Sequence, residues 1–429
     1  MMGIVADDIT GANDIGAMFA KSNYVTHIYR YDEWEAFKKE KNNFRDVLIL
    51  DTDSRFDSRD VAYKKVFRAT KALQRAGATQ FFNKTCSVFR GNVGAEFDAM
   101  LDALEENFAV IVLGFPKNGR KTINGIHYVH GVKLENSEFS YDPIHPMTNS
   151  NLLDILQSQT KRKVTVVGYE IVKKGAAELR KYIHALKDKF QYIILDVTDQ
   201  EDLRIIAEAV YDMKVLAGSS ALAEELAAFL GEKKEQSSSI ALPPLDKEKG
   251  IFCAAGSLMP QTAAQIDYMY RKGAVVFELN SLQLLDENKK CEYLEKLTAQ
   301  IIENIQMGHN VVLHSSNRSD VVKKTKAEAL KKGMNNKEVC RLVSSTIANI
   351  TKEVIQKTNQ KRFVIAGGDT SAAVCRSLGI YGMRVWREIQ TGLPSCISLS
   401  KDPMLFVLKS GSFGKENFID QAIAHLKAQ

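Results

Sequence analysis

The feature that most constrains the fold of this chain is a repeated alternation of short apolar runs with amphipathic stretches. The runs are Val25 to Tyr31, Val47 to Leu50, Phe81 to Phe82, Val110 to Leu113, Val164 to Val167, Tyr192 to Leu195 and Val215 to Ala217. Stretches such as Asp60 to Arg75 and Ala176 to Leu186 carry the helical period between them. That is the rhythm of βαβ units, in which a largely parallel sheet is covered by helices. It restarts later, with strands expected at Ile251 to Ala255, Val275 to Leu279, Val311 to His314, Phe363 to Ala366 and Met404 to Leu408. The segment Gly125 to Gly131 breaks the rhythm; flanked by Gly119 and the Asp142 to Pro146 turn, it reads as a short hairpin and loop projecting from the sheet.

Between the two series lies GEKKEQSSSIALPPLDKEKG, Gly231 to Gly250, where charge, a serine triplet and a proline pair replace the apolar period. A length of 429 residues is itself more than one ordinary domain holds, so a boundary is expected there. The expected division is a domain over 1–232, a linker over 233–249 and a domain over 250–429. The fold class is therefore α/β in two domains, each with a largely parallel sheet flanked by helices.

Composition excludes several classes. Apolar content of 45% and charged content of 26% are those of a globular protein. No apolar run approaches the roughly 18 residues that cross a bilayer. The N-terminal MMGIVADDITG has neither a basic region nor a signal-type apolar core, so a cytoplasmic protein without membrane partners is expected. The net charge of +6 is spread along the chain rather than gathered into a tract that grips nucleic acid. Six dispersed cysteines with no CxxC pair argue for free thiols and against a disulfide framework or a zinc site. His127 and His130, three apart in an expected strand, face opposite sides and read as structural or rim residues; no metal site is assigned.

Chemistry is concentrated in turns that follow strands. Lys84-Thr-Cys-Ser-Val-Phe-Arg-Gly-Asn92 lies between a short strand and a helix-like run, Val93 to Leu104. It sets Lys84, Ser87, Arg90 and Asn92 at the C-terminal edge of a sheet, where fixed cations and helix amides suit a small anion. With Asp7-Asp8-Ile-Thr-Gly11 after another strand, it suggests a site for a hydroxylated carboxylic acid. In the second half, Gly367-Gly-Asp-Thr-Ser371 opens a helix expected from Ala372, and Ala255-Gly-Ser257 and Lys409-Ser-Gly-Ser-Phe-Gly414 are similar turns. Glycines let a phosphate approach the backbone, so three such turns point to a nucleoside triphosphate. There is no GxxxxGK[ST] and no GxGxxG opening a βαβ unit, which removes the usual nucleotide fingerprints.

These motifs, in this order, resemble those of the four-carbon acid sugar kinase family, over essentially the whole chain. The shared segments are ADDITGA at Ala6 to Ala12, Asp53-Ser-Arg55, Lys84 to Asn92, Pro116 to Arg120, Asp142 to Met147, Ala255 to Ser257, Gly367 to Ser371 and Lys409 to Gly414. The resemblance implies an acid-binding N-terminal domain, an ATP-binding C-terminal domain and an active site in the cleft between them. ATP with Mg²⁺ would phosphorylate a terminal hydroxyl, O4, of an acid such as D-threonate, D-erythronate or 3-oxo-tetronate. A homodimer is one assembly open to such a chain. Two positions depart from the family pattern: Cys86 stands where Asp is usual, and Thr391 where a Pro-Gly pair is common.

On that basis Asp8, with Asp7 the alternative, is expected as the base that takes the hydroxyl proton. Arg90 with Ser87, Asn92 and Lys84 would hold the acid, and Arg55 would add a second anchor. Ser257, Gly367, Gly368, Asp369, Thr370 and Gly411 would line the nucleotide site. Plainer readings stand beside these: Asp7 and Asp8 as helix caps, Arg90 as an ion-pair partner, Cys86 as a small buried residue and Lys323 to Lys332 as a solvated helix face. The rival functions are ATP-dependent acyl activation of the same acid and a non-catalytic sugar-acid sensor.

Overall fold

The computed structural model describes residues 1–34, 45–142, 144–231, 233 and 242–429. Part of the segment read as a linker, 234–241, and Pro143 of the Asp142 to Met147 motif lie outside them. The chain divides into two compact units, Met1–Ser237 and Ser238–Gln429.

In the first unit the chain runs β1 (Met2–Ala6), α1 (Ile9–Ala20), β2 (Thr26–Arg30), β3 (Val47–Asp51), α2 (Arg59–Arg75), β4 (Gln80–Lys84), α3 (Val93–Leu104) and β5 (Ala109–Val112). A three-stranded antiparallel sheet follows, β6 (Arg120–Ile123), β7 (Ile126–Val129) and β8 (Val132–Lys133), in place of a simple hairpin. Then come α4 (Leu152–Gln157), β9 (Val164–Val167), α5 (Tyr169–Val172), α6 (Ala176–Leu186), β10 (Tyr192–Leu195), α7 (Gln200–Val210), β11 (Val215–Gly218) and α8 (Ala221–Phe229). The main sheet has the order β2-β3-β1-β4-β11-β5-β10-β9, and every pairing in it is parallel. Its strands are apolar on both faces because helices cover both. Val47, Leu48, Ile49 and Leu50 are all fully buried, each stabilising the fold by about 1.5–3 kcal/mol.

The second unit runs β12 (Phe252–Ala255), α9 (Pro260–Arg271), β13 (Val275–Leu279), α10 (Lys290–Gln306), β14 (Val311–Ser315), α11 (Ser319–Lys331), α12 (Asn336–Thr358), β15 (Arg362–Ala366), α13 (Gly368–Ser377), β16 (Gly382–Gln390), β17 (Leu393–Ser398), β18 (Leu405–Lys409) and α14 (Phe418–Ala428). The order β13-β14-β12-β15-β18 is parallel, and β17 and β16 continue it antiparallel. The hairpin β16–β17 is absent from the sequence reading: its strands mix Arg, Glu and Gln with apolar residues, and Pro394 lies inside β17. Thr391, one of the two departures from the family pattern, lies in its turn.

In both sheets the first strand lies between later ones. In the first unit β2 and β3 lie to one side of β1 and β4 to the other; in the second, β13 and β14 lie to one side of β12 and β15 to the other. Loops leaving the C-terminal ends of β1 and β4, and of β12 and β15, therefore part in opposite directions and open a crevice, the usual place for a ligand in a parallel sheet. No helix among the described residues is long and apolar enough to cross a membrane, and no disulfide joins any two of the six cysteines.

Candidate active site

Asp7 and Asp8 follow β1 at the first crevice. Asp8 caps α1, its Oδ1 accepting the Gly11 N–H at 2.6 Å and its Oδ2 the Thr10 hydroxyl at 3.1 Å. The capping reading of Asp8 is thus part of what it does. Arg55 reaches in from the loop after β3 and binds both acids. Its Nε and Nη2 donate to the two oxygens of Asp7 at 2.8 Å each, and its Nη1 donates to Asp8. Burial alone would raise the Asp8 carboxyl, but the charges of Arg55 and Lys84 and the Gly11 amide outweigh it and hold it below the usual value.

Lys84, the last residue of β4, is buried, with Nζ 3.1 Å from the Thr85 carbonyl and 3.7 Å from Asp14 Oδ2. Gly11 is required beside it: a Cβ there would lie 2.8 Å from Asp8 Oδ1 and 3.0 Å from Lys84 Nζ. The turn after β4 bends sharply, with Phe89 at φ +57° and Gly91 at φ +100°. An aromatic residue in the left-handed region is costly and is held by its surroundings. The bend turns Arg90 back so that Nε donates to Cys86 Sγ at 3.3 Å and Nη1 to Asp142 Oδ2 at 2.6 Å, the guanidinium resting over Phe139.

Other residues expected to grip the acid have plainer partners. The Asn92 side-chain amide holds the carbonyl of Asp57 at 2.9 Å, fixing the Arg55 loop against the Arg90 turn. The Ser87 carbonyl accepts from buried His127, whose other nitrogen meets Thr122 at 3.1 Å. Burial and Arg120 push that histidine down to about 3, so it is neutral. His130 is exposed in the turn after β7, 3.3 Å from Arg120 Nη1.

Several residues of this site were given no role by the sequence reading. Asp142 orients Arg90; Arg120 is buried with its guanidinium 6.0 Å over Phe139; His145 stacks on Phe56 and meets the Arg55 carbonyl at 3.2 Å. The Ser220 hydroxyl donates to Asp14 at 2.5 Å. Arg120, Asp142 and His145 lie within motifs that the family resemblance marks, so a signal existed; Asp14 and Ser220, more than two hundred residues apart in the chain, left none. Cys86 sits between two guanidinium groups. Burial raises its thiol, but Arg90 and Arg55 outweigh burial and lower it.

The second crevice gathers the three glycine turns. A Cβ on Gly256, just past β12, would fall 2.0 Å from Thr370 Oγ1, and one on Gly411, just past β18, 2.0 Å from Ser257 Oγ. Gly367 has φ +116°, which only glycine adopts easily, and its N–H donates to the Lys409 carbonyl at 2.8 Å. Ser257, Gly367, Thr370 and Gly411 are therefore packed together. One expectation is corrected: α13 begins at Gly368 and not at Ala372. Asp369, Thr370 and Ser371 thus form its first turn, because glycine at the N-cap and Asp at the start favour helix initiation there. Asp369 is exposed, Thr370 and Ser371 buried. Among the described residues no three His, Cys, Asp or Glu side chains are gathered as a metal site.

The two α/β units thus differ at their strand ends, one carrying buried Lys84 and Arg55 together with Arg90 and the other three closely packed glycine turns. Residues 2–226 match the family model of a sugar-binding N-terminal domain and residues 252–419 that of a nucleotide-binding C-terminal domain. A 3-oxo-tetronate kinase of Haemophilus influenzae is 30% identical over 98% of this chain and 99% of its own, and a D-threonate kinase of Salmonella typhimurium is 26% identical over 99% and 98%. The crystal structure of the Haemophilus influenzae protein HI1011 superposes with a TM-score of 0.71 at 29% identity, covering 99% of this chain and 100% of that one. The chain belongs to the four-carbon acid sugar kinase family.

Proposed function

We propose that this protein transfers the γ-phosphoryl group of ATP to the terminal hydroxyl, O4, of a four-carbon sugar acid such as 3-oxo-tetronate, D-threonate or D-erythronate. The acid-binding domain would span 1–232, with a linker over 233–249 and the nucleotide domain over 250–429. The observation that carries the reading is the meeting of three glycine turns at the C-terminal ends of adjacent parallel strands, where side chains at Gly256 and Gly411 would collide with Thr370 and Ser257. Such a cradle leaves backbone amides and hydroxyls for a polyphosphate.

Phosphoryl transfer asks a protein for positioning and charge neutralisation more than for covalent chemistry. Lys84 and Arg90 would hold the carboxylate end of the acid. Arg55 would fix Asp7 and Asp8, and Asn92 and Ser87 would fix the turn that carries Arg90. Asp8, ionised at neutral pH, would accept the proton of the attacking hydroxyl, and Asp7 would keep Arg55 in place. Ser257, Gly367, Gly368, Thr370 and Gly411 would contact the phosphates. Mg²⁺, when bound with ATP, neutralises phosphate charge; it usually takes only one or two carboxylates, and exposed Asp369 at the start of α13 is suited to hold it. The test is product analysis with a panel of four-carbon acids. An acid-dependent release of ADP with an acid-stable phosphate ester supports the kinase; AMP or an acyl phosphate would mean carboxylate activation, and no turnover with any acid a sensor.

A further inference from the structure

The nucleotide crevice contains a buried cation that its reading as a phosphate cradle does not use. Lys409, the last residue of β18, is fully buried. Its Nζ donates to Thr262 Oγ1 at 2.8 Å and to the Gly411 carbonyl at 3.3 Å, and the Thr262 hydroxyl donates to that same carbonyl at 2.8 Å. Three residues further along α9, Gln265 Nε2 lies 3.1 Å from each of the carbonyls of Phe413, Gly414 and Lys415. Four carbonyls of one turn are thus drawn to the side of β18 and α9.

In a trans peptide the C=O and the following N–H point in opposite directions. Drawing the Gly411 carbonyl inward aims the Ser412 N–H outward, and drawing the Phe413 carbonyl inward does the same for Gly414. Neither N–H has an acceptor within the protein among the described residues. With the Gly411, Phe413, Gly414 and Lys415 carbonyls withdrawn, the Ser412 and Gly414 N–H groups remain as donors, which is what an anion needs. Keeping such an arrangement has a cost. Burial pushes the Lys409 ammonium down to about 7, and among the described residues the ionisable group set against it is the Cys253 thiol, itself pushed up to about 12. A buried amine with no carboxylate beside it among the described residues is unfavourable to the fold, and such perturbed groups cluster at ligand sites.

We propose that Lys409, Thr262 and Gln265 form a carbonyl-withdrawing clamp that turns the 411–414 segment into a polyphosphate-binding nest, with Lys409 a positioning residue whose charge also offsets that of the phosphates. The inference rests on the assignment of ATP to this unit. Calorimetry of Mg-ATP binding to the full-length chain, together with steady-state kinetics, tests it on wild type, Lys409→Met and Thr262→Val.

The expected result is a loss of ATP affinity of tenfold or more in each variant with an unchanged KM for the acid, and for Lys409→Met no fall in Tm at pH 7, since a desolvated amine has been replaced by an apolar chain of similar length. A merely structural role would instead lower Tm and leave the ATP affinity of folded protein unaltered. If Lys409→Met does not fold, Thr262→Val, which keeps size and loses only the hydroxyl, decides alone. Normal ATP affinity in the folded variants overturns the clamp. A wild-type protein that binds no ATP overturns the nucleotide assignment itself.

Discussion

Asp8 joins three tasks in one carboxylate: it caps α1, shares Arg55 with Asp7, and is the proposed acceptor of the substrate proton. Asp8→Asn keeps the size and the cap but loses the charge. Turnover is expected to fall about a hundredfold or more, the range of general-base catalysis. Because Arg55 then loses one of two buried anions, stability should also fall, by up to about 3 kcal/mol. Comparing kcat with the denaturation midpoint separates the two losses. Arg90→Lys keeps charge but cannot reach Cys86 and Asp142 at once, so the acid's KM should rise about tenfold with kcat little changed, the cost of one charge-assisted hydrogen bond. An unchanged KM would place the carboxylate elsewhere. Glu96 offers a pH test. It is buried in α3, accepts from Ser54 at 2.7 Å, and burial followed by the charge of Asp7 raises it to about 8. A carboxyl raised in the fold contributes stability that is fully present below its unfolded value, near 4.5, and lost as pH rises through about 8. Glu96→Gln should therefore flatten the decline of Tm between pH 5 and 8.5 and be the more stable protein at the alkaline end.

At the scale of elements, each crevice is set by what closes a strand and opens a helix. Thr370 stands in the first turn of α13 against Gly256, so Thr370→Ala should weaken ATP binding by about tenfold through a lost hydroxyl contact. Gly411→Ala should do so more severely, because its Cβ would displace Ser257. Acid binding should be normal in both, and calorimetry with each ligand separately checks this. The strand-to-helix rhythm was legible because parallel strands buried on both faces are nearly continuous apolar runs; α3 and α6 fall on the residues their periodicity marks. The hairpin β16–β17 was not, since charged residues alternate irregularly along it and its register shifts at bulges. The start of α13 was misplaced because Gly-Asp-Thr-Ser reads equally as a loop or as a helix's first turn.

For the whole molecule, the motifs in the sequence marked the turns that line both crevices but not the internal bonding of either. Strand-end turns announce themselves by glycine and hydroxyl residues. That Arg90 is oriented by Asp142, that Asn92 ties two loops, or that Asp14 meets Ser220 depends on contacts between segments from 35 to 206 residues apart that no local pattern records. Cys86 shows what such contacts add. As a lone cysteine it reads as a small buried residue, whereas in place it lies beside Arg90 and Arg55. Cys86→Asp should keep the fold, since both guanidinium groups can pair with a carboxylate, and should change the ranking of acids as measured by kcat/KM. The central claim is phosphoryl transfer from ATP to the hydroxyl of a four-carbon acid, and its most direct measurement is ³¹P NMR of the reaction with Mg-ATP across 3-oxo-tetronate, D-threonate and D-erythronate. ADP forming in equal amount with a phosphate monoester at C4 of at least one acid is the predicted result. Phosphate appearing on the carboxylate, release of AMP, or no acid-dependent consumption of ATP would contradict it.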